Sequence, residues 1–407
     1  MNEVLISIIT PTHDLDLDTL KRTRDSVLEA TRNLSSFEWV LILHNMAGMT
    51  VEEMGHTLGD NPNFHIYEKH DGTHSPSAPR NEGIRKSMGK YLYFLDDDDV
   101  CEPGFFEKAL DKMERESIDI LQARTEAVRG SEDIMMVPTD FLFPYTKDGY
   151  ILPDDKDIRG RLLYGSGNFL ATKIFPGNLI RDNHILFNEE VTLTEDVLFE
   201  VECYGKADKI CAMSSLKGYS YVQRGDSLLQ RLMKEDSFDD LEYLKPLDLI
   251  VDLSVKNNIS PSCHIWDMLG MFGVMFAKEN ISADKKRHLF SHSQGYGPYL
   301  DFEFPKWISS KRARREYIYD RKLTESEVAG WLKLYPGCSL CSKDISKLSE
   351  AKQLSFIKGF WRAFPDESHM LNVALLGLGE NKTMLLCDVS RQLPGYEGLL
   401  QYFAKML

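Results

Sequence analysis

The 407-residue chain is 43% hydrophobic and 27% charged, which is ample for a sizeable core and ordinary for a globular protein of two or three domains. Its formal net charge of −15 argues against a general nucleic-acid binder, which needs Lys and Arg to replace phosphate counterions, and a polyphosphate ligand would need a bridging cation. Seven cysteines, an odd number scattered along a chain that opens without a signal peptide, predict reduced thiols and a cytoplasmic location.

In chain order, residues 4–10 (VLISIIT) read as a buried parallel strand stopped by Pro11, and the turn Pro11-Thr12-His13-Asp14 follows. Leu20, Val27, Leu28 and Ala30, with charges between them, predict an amphipathic helix over 20–34, and 39–43 is a second buried strand. Strand, helix and strand in that order imply a right-handed crossover and a parallel sheet. Residues 65–68 give a further short strand and 72–79 a loop. A helix starts after Pro79 and turns at Gly89 into a strand over 90–95 (KYLYFL). Four consecutive aspartates, Asp96 to Asp99, stand at that strand's carboxyl end. Four carboxylates at one strand end repel each other unless a cation or hydrogen-bond donors collect there. Mg²⁺ and Mn²⁺ take oxygen ligands of this kind, and open α/β sheets bind ligands outside the carboxyl ends of their strands. On composition alone a solvated acidic turn is the plainer alternative.

Residues 104–116 read as a helix and 118–124 as a strand. Residues 125–159, polar and carrying Pro138, Pro144 and Pro153, read as a long surface excursion. A strand is expected over 169–173. In the run Thr192-Leu193-Thr194-Glu195-Asp196-Val197, Thr194 is expected to N-cap a helix with Asp196 in its first turn. From about residue 232 short helical patterns follow, the first over 239–256. The expected division is therefore an α/β domain over 1–231 and a mainly helical domain over 232–407. Cys338-x-x-Cys341 lacks a second ligand pair at zinc spacing. The apolar stretch 265–277 is too short to span a bilayer and contains Asp267, so no transmembrane segment is expected. Lys311, Arg312, Arg314, Arg315, Arg321 and Lys322 form a basic cluster, read either as a solvated helix face or as a site for an anionic membrane surface or an acidic partner.

The run Ala78-Pro79-Arg80-Asn81-Glu82-Gly83, then Gly89-Lys90-Tyr91, then Phe94-Leu95-Asp96-Asp97-Asp98-Asp99 resembles the core of the family 2 glycosyltransferases of the GT-A fold. Their usual pattern is A-R-N-x-G, a G-x-Y strand start and an F-L-D-x-D-D metal and nucleotide motif. The resemblance covers about residues 4–230. It implies a GT-A, Rossmann-like, mostly parallel sheet flanked by helices. It also implies a Mn²⁺ or Mg²⁺ ion on Asp98 supported by Asp96, with Asp97 toward the ribose and Asp99 structural. Pro11, Thr12, His13 and Asp14 fall where the family has P-x-Y-N beside the base, and Arg80 and Asn81 fall on the nucleotide side. The second strand ends in Leu43-His44-Asn45-Met46 instead of D-D-G-S, so His44 or Asn45 would have to bond the base. Glu195-Asp196 matches the family's G-E-D motif, with Asp196 the first choice for catalytic base and Glu195 the second. In isolation the same pair is ordinary complementation of a helix dipole. Residues 217–228 resemble the family's Y-x-Y-R-x-x-x-S ending, which would put Arg224 and Ser227 on the diphosphate. Asn178-Leu179-Ile180-Arg181 resembles the segment closing the acceptor pocket.

The implied activity is inverting transfer of a hexose or N-acetylhexosamine from a nucleoside diphosphate sugar, UDP-linked in the usual case, to a glycan, glycolipid or glycoprotein hydroxyl. Peripheral attachment at the inner membrane face and homodimerisation through the C-terminal domain stay open. So do two other classes. A nucleotidyltransferase acting on sugar phosphates usually has a Gly-rich basic loop after the first strand, whereas residues 11–18 contain no glycine and three aspartates. A non-catalytic module binding glycans or a partner would account for the altered end of the second strand.

Overall fold

The computed structural model describes residues 3–13, 16–46, 48–73, 75–129, 148–165, 170–223, 240–262 and 264–265, with the single positions 288, 292, 296 and 299. Asp14, Arg224, Ser227, the Cys338/Cys341 pair, the basic cluster and most of the expected C-terminal helices lie outside the described residues. The chain divides into two compact units, Met1–Arg231 with Leu241–Ile259, and Leu232–Asp240 with Ser260–Leu407.

Nine strands among the described residues make one mixed sheet. They are β1 (Ile6–Thr12), β2 (Phe37–His44), β3 (Phe64–Lys69), β4 (Tyr91–Phe94), β5 (Val100–Cys101), β6 (Ile120–Arg129), β7 (Tyr150–Ile151), β8 (Lys173–Pro176) and β9 (Ile210–Gln223). Their order is β3-β2-β1-β4-β8-β6-β9-β5, with β7 paired to β9. The half formed by β3, β2, β1 and β4 is parallel, as expected. Beyond it β8 runs antiparallel to both β4 and β6, so the second half is mixed. The described helices are α1 (Leu17–Thr31), α2 (Val51–Leu58), α3 (Ser77–Lys86), α4 (Phe105–Glu116), α5 (Lys156–Gly165), α6 (Gly177–Asp182), α7 (Glu195–Lys206) and α8 (Asp240–Lys256). All of α8 except Asp240 belongs to the first unit, although its pattern had placed it with the helical region. Among the described residues no helix is long and apolar enough to cross a membrane.

Strand β1 shows how the sequence builds this half. Ile6, Ile8 and Ile9 are fully buried, each worth about 1.5–3 kcal/mol of removed apolar surface. The strand does not stop at Pro11 but runs through it to Thr12. The amides of Tyr91 and Leu95 donate to the carbonyls of Leu5 and Ile9, so the odd residues of β1 face β4. Pairing with β4 ends at Ile9, so the N–H that Pro11 lacks would have had no strand to meet. On the sheet face that carries the Ile9 side chain α3 lies close, because a Cβ on Gly83 would sit 2.3 Å from Ile9 Cγ2. Helix α3 begins at Ser77, before Pro79, since the first helical turn leaves its N–H groups unpaired and tolerates proline. Helix α2 was not expected. It starts on a capping box in which Thr50 Oγ1 accepts from the Glu53 amide at 3.2 Å while Glu53 Oε2 accepts from the Thr50 amide at 2.9 Å. In place of the strand expected over 169–173 there is a short 3₁₀ turn, Leu170–Thr172, leading into β8.

Candidate active site

In the parallel half β2 and β3 lie on one side of β1 and β4 on the other, so the order reverses between β1 and β4. Ligands of such sheets bind outside the carboxyl ends at that reversal. Here those ends carry Pro11, Thr12 and His13 from β1 and the four aspartates from β4.

The aspartates have separate surroundings. Asp99 is fully buried and accepts hydrogen bonds from the Tyr219 hydroxyl and, at 2.8 Å, from the Val222 amide. Burial, with Asp98 and Asp96 nearby, raises its carboxyl well above the usual range. Helix α1 holds the turn from behind. The Thr23 hydroxyl lies 2.9 Å from the carbonyls of both Asp97 and Asp99, and Arg22 Nη2 donates to the Asp98 carbonyl at 2.7 Å. The side chains of Asp97 and Asp98 remain partly exposed. Asp96, about half exposed, accepts from Arg80 Nη2 at 2.8 Å.

Arg80 joins the two acidic motifs. It is 6% exposed, and its other terminal nitrogen, Nη1, donates to Glu195 Oε1 at 2.8 Å, 115 residues along the chain. Burial alone would loosen the guanidinium's hold on its proton, but Asp96, Glu195 and Asp196 reverse this. Its guanidinium also lies 5.5 Å from the centre of the Phe187 ring. Phe187 stacks on Phe199 of α7 at 4.1 Å, and both meet Phe94 of β4 edge-on. This aromatic packing sets the start of α7 beside the end of β4.

At that start Thr194 is left-handed (φ 61°) and its hydroxyl donates to Leu193, so it does not cap the helix. The expected cap fails because the backbone turns sharply there, and Asp196 Oδ1 accepts from the Val197 amide at 2.8 Å instead. Burial pushes Glu195 up to about 7, with Asp196 adding to it and Arg80 opposing. Asp196 is also raised by burial, against the pull of Arg80, the Val197 amide and Lys173, yet it keeps partial access to solvent. A carboxylate in such surroundings holds a proton more readily than a free one and suits general-base work.

Two further expected residues are engaged elsewhere. Asn81 spends its amide on the loop before α7, donating to Phe187 O at 2.9 Å and Glu189 Oε1 at 2.8 Å and accepting from the Phe187 amide. Arg181 donates to the Ser87 and Gly89 carbonyls at 3.1 Å and so braces the turn into β4. At the base-side edge His44 is buried and its Nε2 lies 2.9 Å from Asp71 Oδ1, while Asn45 donates to the Thr73 carbonyl and accepts from the amides of Asp71 and Gly72. Burial alone would raise Asp71, but the Thr73 amide, His44, the Thr73 hydroxyl and Asn45 hold it well below the usual carboxylate range. Asp71, from the loop after β3, thus stands beside the end of β2. Thr12 Oγ1 is buried at the same edge without a hydrogen-bond partner among the described residues.

Among the described residues no group of three or more His, Cys, Asp or Glu is arranged to hold a metal ion. Mg²⁺ in nucleotide sites takes one or two carboxylates and completes its shell with phosphate oxygens and water. The accessible hard oxygens of Asp96 and Asp98 fit that partial set.

Residues 7–173 match the family described as glycosyl transferase family 2. The chain is similar to the poly(ribitol-phosphate) beta-glucosyltransferase of Bacillus spizizenii, 23% identical over 60% of this chain and 37% of that protein. It is also similar to the poly(ribitol-phosphate) beta-N-acetylglucosaminyltransferase TarS of Staphylococcus aureus, 24% identical over 46% of this chain and 31% of that one. It therefore spans about a third of the length of these curated relatives. Among solved structures, S. aureus TarS 1–349 in complex with UDP-GlcNAc aligns with 91% of this chain and 90% of that one, at 16% identity and a TM-score of 0.47.

Proposed function

Through residues 7–173 the chain belongs to glycosyl transferase family 2, and we propose that it transfers a hexose or N-acetylhexosamine from a UDP-linked donor to a glycan, glycolipid or glycoprotein hydroxyl, with inversion at the anomeric carbon. The observation that carries this reading is the Arg80 bridge, which brings Asp96 and the Glu195-Asp196 pair to one site.

Transfer needs the leaving diphosphate stabilised and the acceptor hydroxyl deprotonated as it attacks, with both held in line. Asp196 takes the hydroxyl proton as the acceptor oxygen bonds to the anomeric carbon, and the bond to the diphosphate breaks with its electron pair. A base on the face opposite the leaving group gives inversion and contributes about 10²–10⁴-fold. Arg80 holds Glu195 and Asp96 apart and fixed. Glu195, paired to Arg80 and deeper than Asp196, serves as a support rather than as the base. Asp98, with Asp96, would hold Mn²⁺ or Mg²⁺, which when bound supplies Lewis-acid stabilisation of the diphosphate. Pro11, Thr12 and His13 receive the base, with His44 and Asn45 fixed behind them by Asp71.

The test is release of free nucleoside diphosphate from a panel of nucleotide sugars, with Mn²⁺ or with chelator, in the presence of acceptors that include a ribitol-phosphate polymer, the substrate named in the relatives. Cation-dependent release that rises with one acceptor is expected. Binding without turnover of any donor would point to a non-catalytic module.

A further inference from the structure

Lys173 opens β8, between β4 and β6 in the sheet, and its side chain is fully buried. Its Nζ donates at 2.8 Å to Oε1 of Glu200, which is also fully buried. Oε2 of Glu200 is buried and has no hydrogen-bond partner among the described residues. Glu200 lies four residues after Asp196 on α7, a spacing that puts the two on one face of the helix.

Stability does not account for these charges. Taking a Lys–Glu pair out of water costs about as much as its attraction returns, and well-packed apolar residues of the same volume do as well or better. The bare second oxygen adds to the cost. Burial accordingly pushes Glu200 up to about 7 in spite of Lys173.

The surrounding charges give the pair a use. Asp196 feels Arg80 from α3, Lys173 from β8, Asp96 from the end of β4, and Glu195 and Glu200 from its own helix. With Asp196 itself that is four carboxylates and two cations. Arg80 already spends its two terminal nitrogens on Asp96 and Glu195. Lys173 is the second positive charge in the set, and Glu200 fixes where it sits.

We propose that Lys173, oriented by Glu200, is a positioning residue whose buried charge holds the Asp196 carboxylate ready to take the acceptor's proton. This rests on Asp196 as the base. Lys173→Met removes a positive neighbour and shifts the acid limb of the transfer profile to higher pH, by about one pH unit or more. Glu200→Gln replaces a carboxyl that is already protonated below about pH 7 and shifts it much less. The double variant Lys173→Met/Glu200→Gln keeps the volume without either charge.

The experiment measures three things in these variants: the pH profile of transfer, donor affinity, and titration of the Asp196 carboxyl by ¹³C NMR. The expected result is an upward shift of about one pH unit in Lys173→Met and in the double variant, a much smaller shift in Glu200→Gln, unchanged donor affinity, and a double variant that melts like the wild type but transfers about tenfold more slowly on the acid limb, one pH unit being a factor of ten in ionisation. A double variant with the wild-type acid limb and titration would overturn the proposal. The NMR titration decides the matter even where Lys173→Met does not fold, because the double variant alone must raise the titration of Asp196. If the wild type turned over no donor while these shifts appeared, the transferase reading would fail and the coupling of Lys173 to Asp196 would stand.

Discussion

At the end of β4, Asp97 and Asp98 stay partly exposed and Asp99 alone is fully buried, whereas on α7 Glu195 and Glu200 are buried and Asp196 keeps access to solvent. The two groups have nearly the same composition and resolve their repulsion differently. Water screens the partly exposed carboxylates of the strand end, where Arg80 pairs with Asp96. The helix group lies where screening is weak, and it requires Arg80 and Lys173 close by. The first arrangement suits metal and phosphate, the second a proton.

The sharpest way to break that contrast is Asp98→Asn. It should leave the thermal midpoint unchanged and lower transfer about a hundredfold to a thousandfold, since Lewis-acid stabilisation is worth several kcal/mol. Initial rates across a Mn²⁺ titration check this, and a loss confined to stability would contradict it. Next comes Arg80→Met, which strands Glu195 in a buried site and should cost about 3–5 kcal/mol in urea unfolding at pH 8. The half-exposed Asp96 adds little to that figure. The penalty should shrink as pH falls, because Glu195, released from the opposing pull of Arg80, then takes up a proton.

The same carboxyls set a pH dependence in the wild type. Glu195 and Glu200 have folded values of about 7, above their ordinary 4.5, so the folded state binds more protons than the unfolded state between those limits. Their contribution to stability therefore falls as pH rises from about 4.5 to about 7. Glu200→Gln should flatten part of that slope in urea midpoints taken at pH 5 and pH 8. A smaller effect is expected for Tyr219→Phe, which removes the hydroxyl donor to buried Asp99 and should cost about 1–3 kcal/mol. The smallest is Thr50→Ala, which opens the α2 capping box for about 1 kcal/mol without altering transfer.

Much of this was legible in the sequence. Residues 4–10, 39–43 and 90–95 mark β1, β2 and β4 through their apolar runs, and the ordered motifs around Arg80, Asp96 and Asp196 point to one site. What was hidden depends on tertiary neighbours. Pro11 fits inside β1 only because β4 stops at Ile9. Thr194 reads as an N-cap but is turned left-handed at the start of α7. Asn81, in the same motif as Arg80, faces the loop before α7 and not the strand end. Lys173 and Glu200 carry no local signal beyond the i, i+4 spacing to Asp196, because a buried ion pair is visible only once β8 and α7 are packed. The Thr50-x-x-Glu53 signature of the α2 capping box is itself present in the sequence.

The central claim is that Asp196 takes the acceptor's proton while the β4 end holds the donor. Asp196→Asn tests it most directly, with donor affinity measured by calorimetry and transfer measured on the same protein. The account predicts unchanged donor binding in the presence of Mn²⁺ and transfer reduced by at least about a hundredfold. Near-normal transfer with normal donor binding would contradict it.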